Sequence, residues 1–370
     1  MRLVPIECVR EGCYLAKTIY DSDGRILLRC GAKLTNSLIN RIKAINIYSL
    51  YISDNYTQKE IDEIISPELK QKSILLVKDV FTTFHKISSD PALANNSKNK
   101  YKLLKEKENY LHSLEELAEE LYENIISNKN LMIGLVDIKT MDAYTYQHSV
   151  NVAIISMVIG VGFKLSKKKL IDLCIGALLH DIGKIFVGKD IIKKPEKLTD
   201  MEFEAIKKHP KAGYDYIHSN NSINANCKIV ILQHHEKVDG TGYPRGIKGD
   251  DINLLAKIVA VADVYDALTS DRPYKRAMCP NEAFEFILSK ADSMFDFEVT
   301  QIFSKVLIPY PKGSHVKLSN GDVAKVKKLH QYYPLRPYLE IIESFEKNKV
   351  GKVLDLSKEL SIVISSFDFN

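Results

Sequence analysis

The chain of 370 residues carries 45% hydrophobic and 27% charged residues and a formal net charge of +5, the balance of a soluble globular protein long enough for more than one domain. A charge this mild for the length gives no ground for a nucleic-acid or membrane partner, and neither DNA nor RNA is expected. The six cysteines, Cys8, Cys13, Cys30, Cys174, Cys227 and Cys279, show no CxxC spacing, which argues against a zinc finger or a redox motif and predicts free, reduced thiols.

The opening MRLVPIECVREG has no apolar segment followed by a small-residue cleavage site, so no signal peptide is expected. The longest apolar stretch, Val152 to Phe163, is interrupted by Ser156, Gly160 and Gly162 and is too short to span a bilayer. A cytoplasmic protein is the expectation.

In chain order, residues 1–55 read as a small α+β module. Tyr14 to Ile19 and Arg25 to Leu28 have strand character around Asp21 to Gly24, Thr35 caps a helix running to Ile45, and Tyr48 to Ile52 is a further strand. No residue set there suggests catalysis. Residues 56–130 turn helical and charged, with a break at Ser88 to Asn99 that holds Pro91. Beyond it Leu114, Leu117, Leu121 and Ile125 recur at helical spacing, and Ser113 with Glu116 fits a capping box. The segment is expected to be a helical linker packed on the next domain. A dimerising helix pair, and so a homodimer, is the weaker alternative because the stripe is short for a coiled coil.

Residues 131–308 are almost wholly helical in pattern, which implies a compact bundle, and 309–370 form a small β-rich module. There His315 to Leu318 and Val323 to Lys327 flank a tight hairpin at Asn320-Gly321, and Leu339 to Glu343 and Ser361 to Ser365 add strands. The fold class is mainly α, a helical bundle between two small modules.

The bundle segment holds the chemistry. His148, His180-Asp181, His209, His234-His235 and Asp263 all fall in stretches that read as helices, and imidazoles and carboxylates gathered inside a bundle suit a site for two first-row metal ions. In Ala177 to Lys184, an apolar helix face is expected to deliver His180 and Asp181 inward, and Gly183 to let the backbone pass close by. Singly, each residue has a plainer reading. A lone His-Asp pair is a surface or capping pair, His148 a satisfied core histidine, and His209, just before Pro210, a helix-end residue.

The loop with Gly240, Gly242 and Pro244 after His234-His235 is permissive in its middle and stiff at its end, suited to backbone approach to a ligand, or is an ordinary turn. Asp263 in an otherwise apolar helix needs a cation or donors. Arg272 and Lys275 bring positive charge to that helix's end, as a solvated face or, with the metal set, as a phosphate clamp.

Together these residues resemble the HD-GYP domain, a subgroup of the HD superfamily of metal-dependent phosphohydrolases. The resemblance covers about Leu131 to Leu307 and rests on His148, His180-Asp181-Ile-Gly-Lys184, His209, His234-His235-Glu236, Asp239-Gly-Thr-Gly242-Tyr243-Pro244, Asp263 and Arg272-Pro-Tyr-Lys275 in that order. It implies an HD-type helical bundle acting as a phosphodiesterase on cyclic di-GMP, opening the ring to pGpG. The implied metal ligands are His148, His180, Asp181, His209, His234, His235 and Asp263, with Asp181 bridging and catalytic. Lys184 would contact the scissile phosphate, and Arg272 and Lys275 would hold phosphates. Gly242, Tyr243 and Pro244 would shape the substrate loop, a surface that relatives are also thought to use with diguanylate cyclases.

Two divalent ions are expected, iron or manganese by the His and carboxylate donors, and a hydroxide bridging them is the expected nucleophile. Members with three metals carry a Glu where this chain has Tyr144, so a second hydrolysis to GMP should be weak. The alternatives are another cyclic dinucleotide or nucleotide phosphoester as substrate, or a catalytically weak sensor. The sensor would be marked by lost ligands, and all seven are present.

Overall fold

This computed structural model describes residues 2–21, 25–45, 47, 49–53, 65–89, 97–127, 144–192, 194, 196–218, 222–270, 278–310, 312–330 and 333–368. The N-terminal module is an antiparallel sheet in the order β1-β5-β2, from Arg2–Pro5 (β1), Tyr14–Leu15 (β2) and Ser49–Ser53 (β5), with a separate pair of Ile19–Tyr20 (β3) and Ile26–Leu28 (β4). The single strand expected over Tyr14 to Ile19 is therefore two. Leu15 pairs with Ile52 and its N–H bonds the carbonyl of Ala32, whereas Ile19 pairs with Leu28. The chain changes partner within a stretch whose alternation carries no mark of it. Helix α1 (Asn36–Ala44) is capped by the Thr35 hydroxyl as expected, and Ile39 and Ile42 on its inner face join Val4, Leu15, Leu34, Leu50 and Ile52 in a small core.

Helices α2 (Pro67–Ser89) and α3 (Ser97–Ser127) follow. Leu114, Leu117, Leu121 and Ile125 are buried, as the helical spacing predicts. The capping box at Ser113 and Glu116 does not form, because α3 runs unbroken through both residues and leaves no free N–H groups there to cap. Val77, Phe81 and Phe84 of α2 and the buried face of α3 belong to one apolar core with the helices that come after them.

That core is built on α4 (Tyr144–Gly162), α5 (Lys167–Leu178), α8 (His209–His218), α9 (Ala225–Gln233), α10 (Leu254–Leu268), α11 (Pro280–Ser289) and α12 (Phe297–Val306), with the short α6 (Lys189–Ile192) and α7 (Asp200–Ile206) between α5 and α8. Helices α4 and α10 are apolar nearly all round because neighbours cover them on every side. Polar side chains on such helices must find partners inside, and this is what makes their few histidines and carboxylates informative.

The C-terminal module is a five-stranded antiparallel sheet in the order β10-β6-β7-β8-β9, from His315–Leu318 (β6), Val323–Lys328 (β7), Tyr338–Glu343 (β8), Val353–Asp355 (β9) and Ile364–Phe367 (β10). The hairpin at Asn320-Gly321 forms, with Gly321 at φ +89°. Strand β9 was not expected, because it is short and only half-buried, and β10 begins at Ile364 rather than Ser361, with a register shift between Ile364 and Ser366. Leu335 packs against both this module's core and the helical core.

Candidate metal centre

Four helix ends and one helix interior converge on one buried point. His148 lies near the start of α4 and Asp263 inside α10, as the sequence reading has them. His180 and Asp181 do not lie on a helix face. Helix α5 stops at Leu178, and the pair occupies the turn into a 3-10 segment, Ile182–Phe186, that carries Lys184. His209 opens α8, with Pro210 in its first turn where the missing N–H costs nothing. His234 caps the C-terminus of α9 and His235 follows it. Residues at helix ends can turn side chains inward that a continuous helix would have spread around its circumference.

The turn exists because Gly183 has no side chain. A Cβ there would lie 1.9 Å from the carbonyl oxygen of His209 and 2.6 Å from the amide nitrogen of Gly213. The backbone carrying Asp181 and Lys184 thus rests directly on the first turn of α8, which carries His209.

Three histidines share one device. The Nδ1 of His180, His209 and His234 lies 2.7, 2.7 and 2.9 Å from the carbonyl oxygen three residues earlier, on Ala177, Ile206 and Ile231. A carbonyl can only accept, so each Nδ1 carries the proton and each Nε2 presents a bare lone pair to the interior. His209 Nε2 and His234 Nε2 then face each other at 3.2 Å with no proton to share. Among the described residues, the buried His180 Nε2 and Asp181 Oδ1 have no hydrogen-bond partner. Lone pairs and orphaned acceptors aimed at one another repel unless a cation lies between them, so the donor set fits a metal.

The donors fall into two groups, Asp181 with His209, His234 and His235, and His148 with His180 and Asp263, each with its ligand atoms within 4.8 Å of one another. Asp181 touches both. Its Oδ1 lies 3.2 Å from His209 Nε2 and its Oδ2 3.4 Å from His180 Nε2. Asp263 likewise spans from His148 Nε2 at 3.0 Å to His235 Nδ1 at 3.8 Å. Two cradles sharing carboxylates are the arrangement of a binuclear site, and none of the donors is a thiolate.

Electrostatics follow from burial and partners. Burial would raise the Asp181 carboxyl, but the Lys184 ammonium, at 2.5 Å, outweighs that and holds it well below its usual range. Asp263 is likewise lowered against the effect of burial, chiefly by His148. Burial also depresses His148, yet its bonds to Asp263 and Asp266 outweigh that and raise it to about 9. His234 and His235 are pushed down by burial and by neighbouring imidazoles, His235 to about 3. The centre keeps its carboxylates ionised and the His234-His235 pair neutral, the protonation state metal ligation requires, whereas His148, raised by its two carboxylates, would have to give up its Nε2 proton to a metal.

Sequence reasoning missed Asp266. Its Oδ2 accepts from His148 Nδ1 at 2.7 Å, and its Oδ1 from Asn151 Nδ2 at 2.9 Å. This carboxylate sits behind the histidine, fixes its ring and raises its basicity. The available signal was its place one helical turn beyond Asp263 on α10. Asp266→Asn keeps the shape and removes the charge. Its affinity for divalent metal, measured by chelator competition, is expected to fall about 10- to 100-fold while circular dichroism stays unchanged.

Glu236 belongs to the same motif as His234 and His235. It is buried and accepts the backbone N–H of Arg245 at 2.8 Å and of Ile247 at 3.2 Å, tying down the far side of the loop after His235. A Cβ on Gly242 would meet the amide nitrogen of Lys237 at 2.4 Å, so the loop folds back on its own start. This sets the Tyr243 ring over His235, with centroids 4.7 Å apart, and Pro244 follows, half-buried. Lys184 is 30% exposed beside Asp181, at the open side of the centre. Arg272 and Lys275 lie outside the described residues, as does the side chain of Tyr144, the first residue of α4.

Residues 120–299 match the HD domain family, and residues 315–368 match the KOW domain associated with HD domain. A cyclic di-GMP phosphodiesterase of Pseudomonas aeruginosa is 37% identical over 246 residues, 66% of this chain and 59% of the relative. A 3'3'-cGAMP-specific phosphodiesterase of Vibrio cholerae is 36% identical over 173 residues, 47% of this chain and 37% of the relative. Among solved structures, an HDG"Y"P protein from Bdellovibrio bacteriovorus superposes with a TM-score of 0.46 at 17% identity, covering 82% of this chain and 97% of that one. The chain spans little more than half the length of the Pseudomonas relative. The class these matches point to is that of proteins with an HD domain over their helical part, here residues 120–299. Within that segment the chain is similar to cyclic di-GMP phosphodiesterases, and its motifs resemble those of HD-GYP proteins.

Among the described residues, no helix is long and apolar enough to cross a membrane.

Proposed function

We propose that this protein is a binuclear metal-dependent phosphodiesterase that opens cyclic di-GMP to pGpG and carries the product only weakly on to GMP. The observation behind this reading is the pair of ligand groups joined by Asp181, with bare Nε2 lone pairs turned into a shared space. The Pseudomonas relative, named for hydrolysis of cyclic di-GMP, supports the choice of substrate. The ligand roles proposed are those of His148, His180, Asp181, His209, His234, His235 and Asp263. Donors of this kind suit iron or manganese.

Bound cations supply Lewis acidity toward the phosphoryl oxygens and an acidified water for in-line attack. The chain's own groups do the rest. Asp181 holds both ligand groups in register, and Lys184, partly exposed beside it, offsets negative charge building on the scissile phosphate. Arg272 and Lys275 would hold the substrate's phosphates. Gly242, Tyr243 and Pro244 close the side of the centre over His235, and the same loop is the proposed contact for diguanylate cyclases.

The test is hydrolysis of cyclic di-GMP by protein loaded anaerobically with Fe(II) or Mn(II), with pGpG and GMP separated by chromatography and metal counted. Accumulating pGpG with about two metals per chain is the expected result. No product with either metal would overturn the reading. The similarity to a cGAMP-specific relative favours 3'3'-cGAMP as the second candidate, and a higher kcat/KM for it would displace cyclic di-GMP.

A further inference from the structure

The segment between Lys184 and His209 behaves unlike the rest of the helical domain. Helix α7 within it buries none of its residues. Yet it is carefully built. Thr199 and Glu202 form a full capping box, and Lys194 pins the Glu202 carboxylate with contacts of 2.7 and 2.8 Å. This segment also presents Phe186, Ile192, Met201 and Phe203 to solvent, with Met201 86% and Phe203 45% exposed. A helix that adds nothing to the core and still holds large apolar side chains in water has its use on the outside.

Its position indicates that use. The Lys207 ammonium lies 4.8 Å from the Phe203 ring centroid and 6.0 Å from that of Tyr243, held by Glu204 at 2.6 Å. Tyr243 in turn stacks on the candidate ligand His235. Phe203, Lys207, Tyr243 and His235 therefore form a continuous line of π-faces and one cation that runs from the surface to the metal centre. A phosphodiester held at that centre carries its nucleobase one sugar away from the phosphate. The occupant must combine a flat aromatic face with nearby negative charge, and Lys184 and Lys207 on this side supply the complement to the charge.

We propose that Phe203 and Lys207 form the nucleobase subsite, Phe203 stacking on a purine of the substrate and Lys207 lying between that base and Tyr243. The proposal rests on the phosphodiesterase reading, and the test separates the two. Phe203→Ala is expected to raise KM for cyclic di-GMP on the order of tenfold, with kcat and bound metal little changed and with Phe203→Tyr and Phe203→Trp restoring KM. Lys207→Gln should raise KM less. Calorimetric titration of the metal-loaded protein with GMP should show the same loss and the same rescue. If the wild type turns over cyclic di-GMP and Phe203→Ala leaves KM and GMP binding unaltered, the subsite is wrong and α7 serves another partner. If the wild type shows no turnover while GMP binding depends on an aromatic residue at 203, the subsite stands and the phosphodiesterase reading falls.

Discussion

Asp181→Asn is expected to abolish hydrolysis and to strip bound metal to one equivalent or less. The amide matches the carboxylate in shape, so packing at this buried position is kept. What goes is the negative charge that both ligand groups share, since Oδ1 faces His209 and Oδ2 faces His180. Removing an outer partner of a ligand costs about 10- to 100-fold in metal affinity, and a shared ligand must cost more. Metal content by plasma emission and turnover of cyclic di-GMP measure the two effects. A variant that kept two metals and near-normal turnover would show that the groups are not joined through Asp181.

Gly183→Ala is expected to damage the fold itself. The methyl would sit 1.9 Å from the His209 carbonyl oxygen, and that atom is backbone at the start of α8, so no rotamer change relieves the clash. Inserting a methylene into a packed core with freedom to adjust costs about 1–3 kcal/mol, and here the 3-10 turn and α8 must separate instead. Thermal melting should fall sharply, and any folded fraction should have lost metal affinity because His209 has moved. Gly188→Ala is the control, since the nearest side-chain atoms to its Cβ are at 3.9 Å. It should melt like the wild type.

Much of this was readable in the chain before any fold. The apolar stretches around His148 and Asp263 announce buried helices, and a carboxylate inside one of them needs a counter-charge wherever it ends up. The stripe Leu114, Leu117, Leu121 and Ile125 is buried as its spacing requires. Local rules failed where a residue's role depended on distant chain. Tyr14 to Ile19 splits because Leu15 and Ile19 find different partner strands, and Ser113 is no cap because packing carries α3 straight past it.

At the centre the division is similar. The identities and order of the seven candidate donors, the room that glycine leaves at 183 and the lack of a thiol among those candidates are properties of the sequence, because they depend on side-chain chemistry and on motifs that are local in the chain. Which donors share a cation is not. That depends on where α5 and α9 end and on which carbonyls claim each Nδ1. Asp266 becomes a positioning carboxylate only once α10 lies against α4 and brings it to His148. The exposed line from Phe203 to His235 exists because Gly242 folds its loop back and lays Tyr243 beside Lys207. Chemistry is carried residue by residue along the chain, whereas distances between donors far apart in sequence are set by the packing of whole helices, and tertiary structure alone decides those.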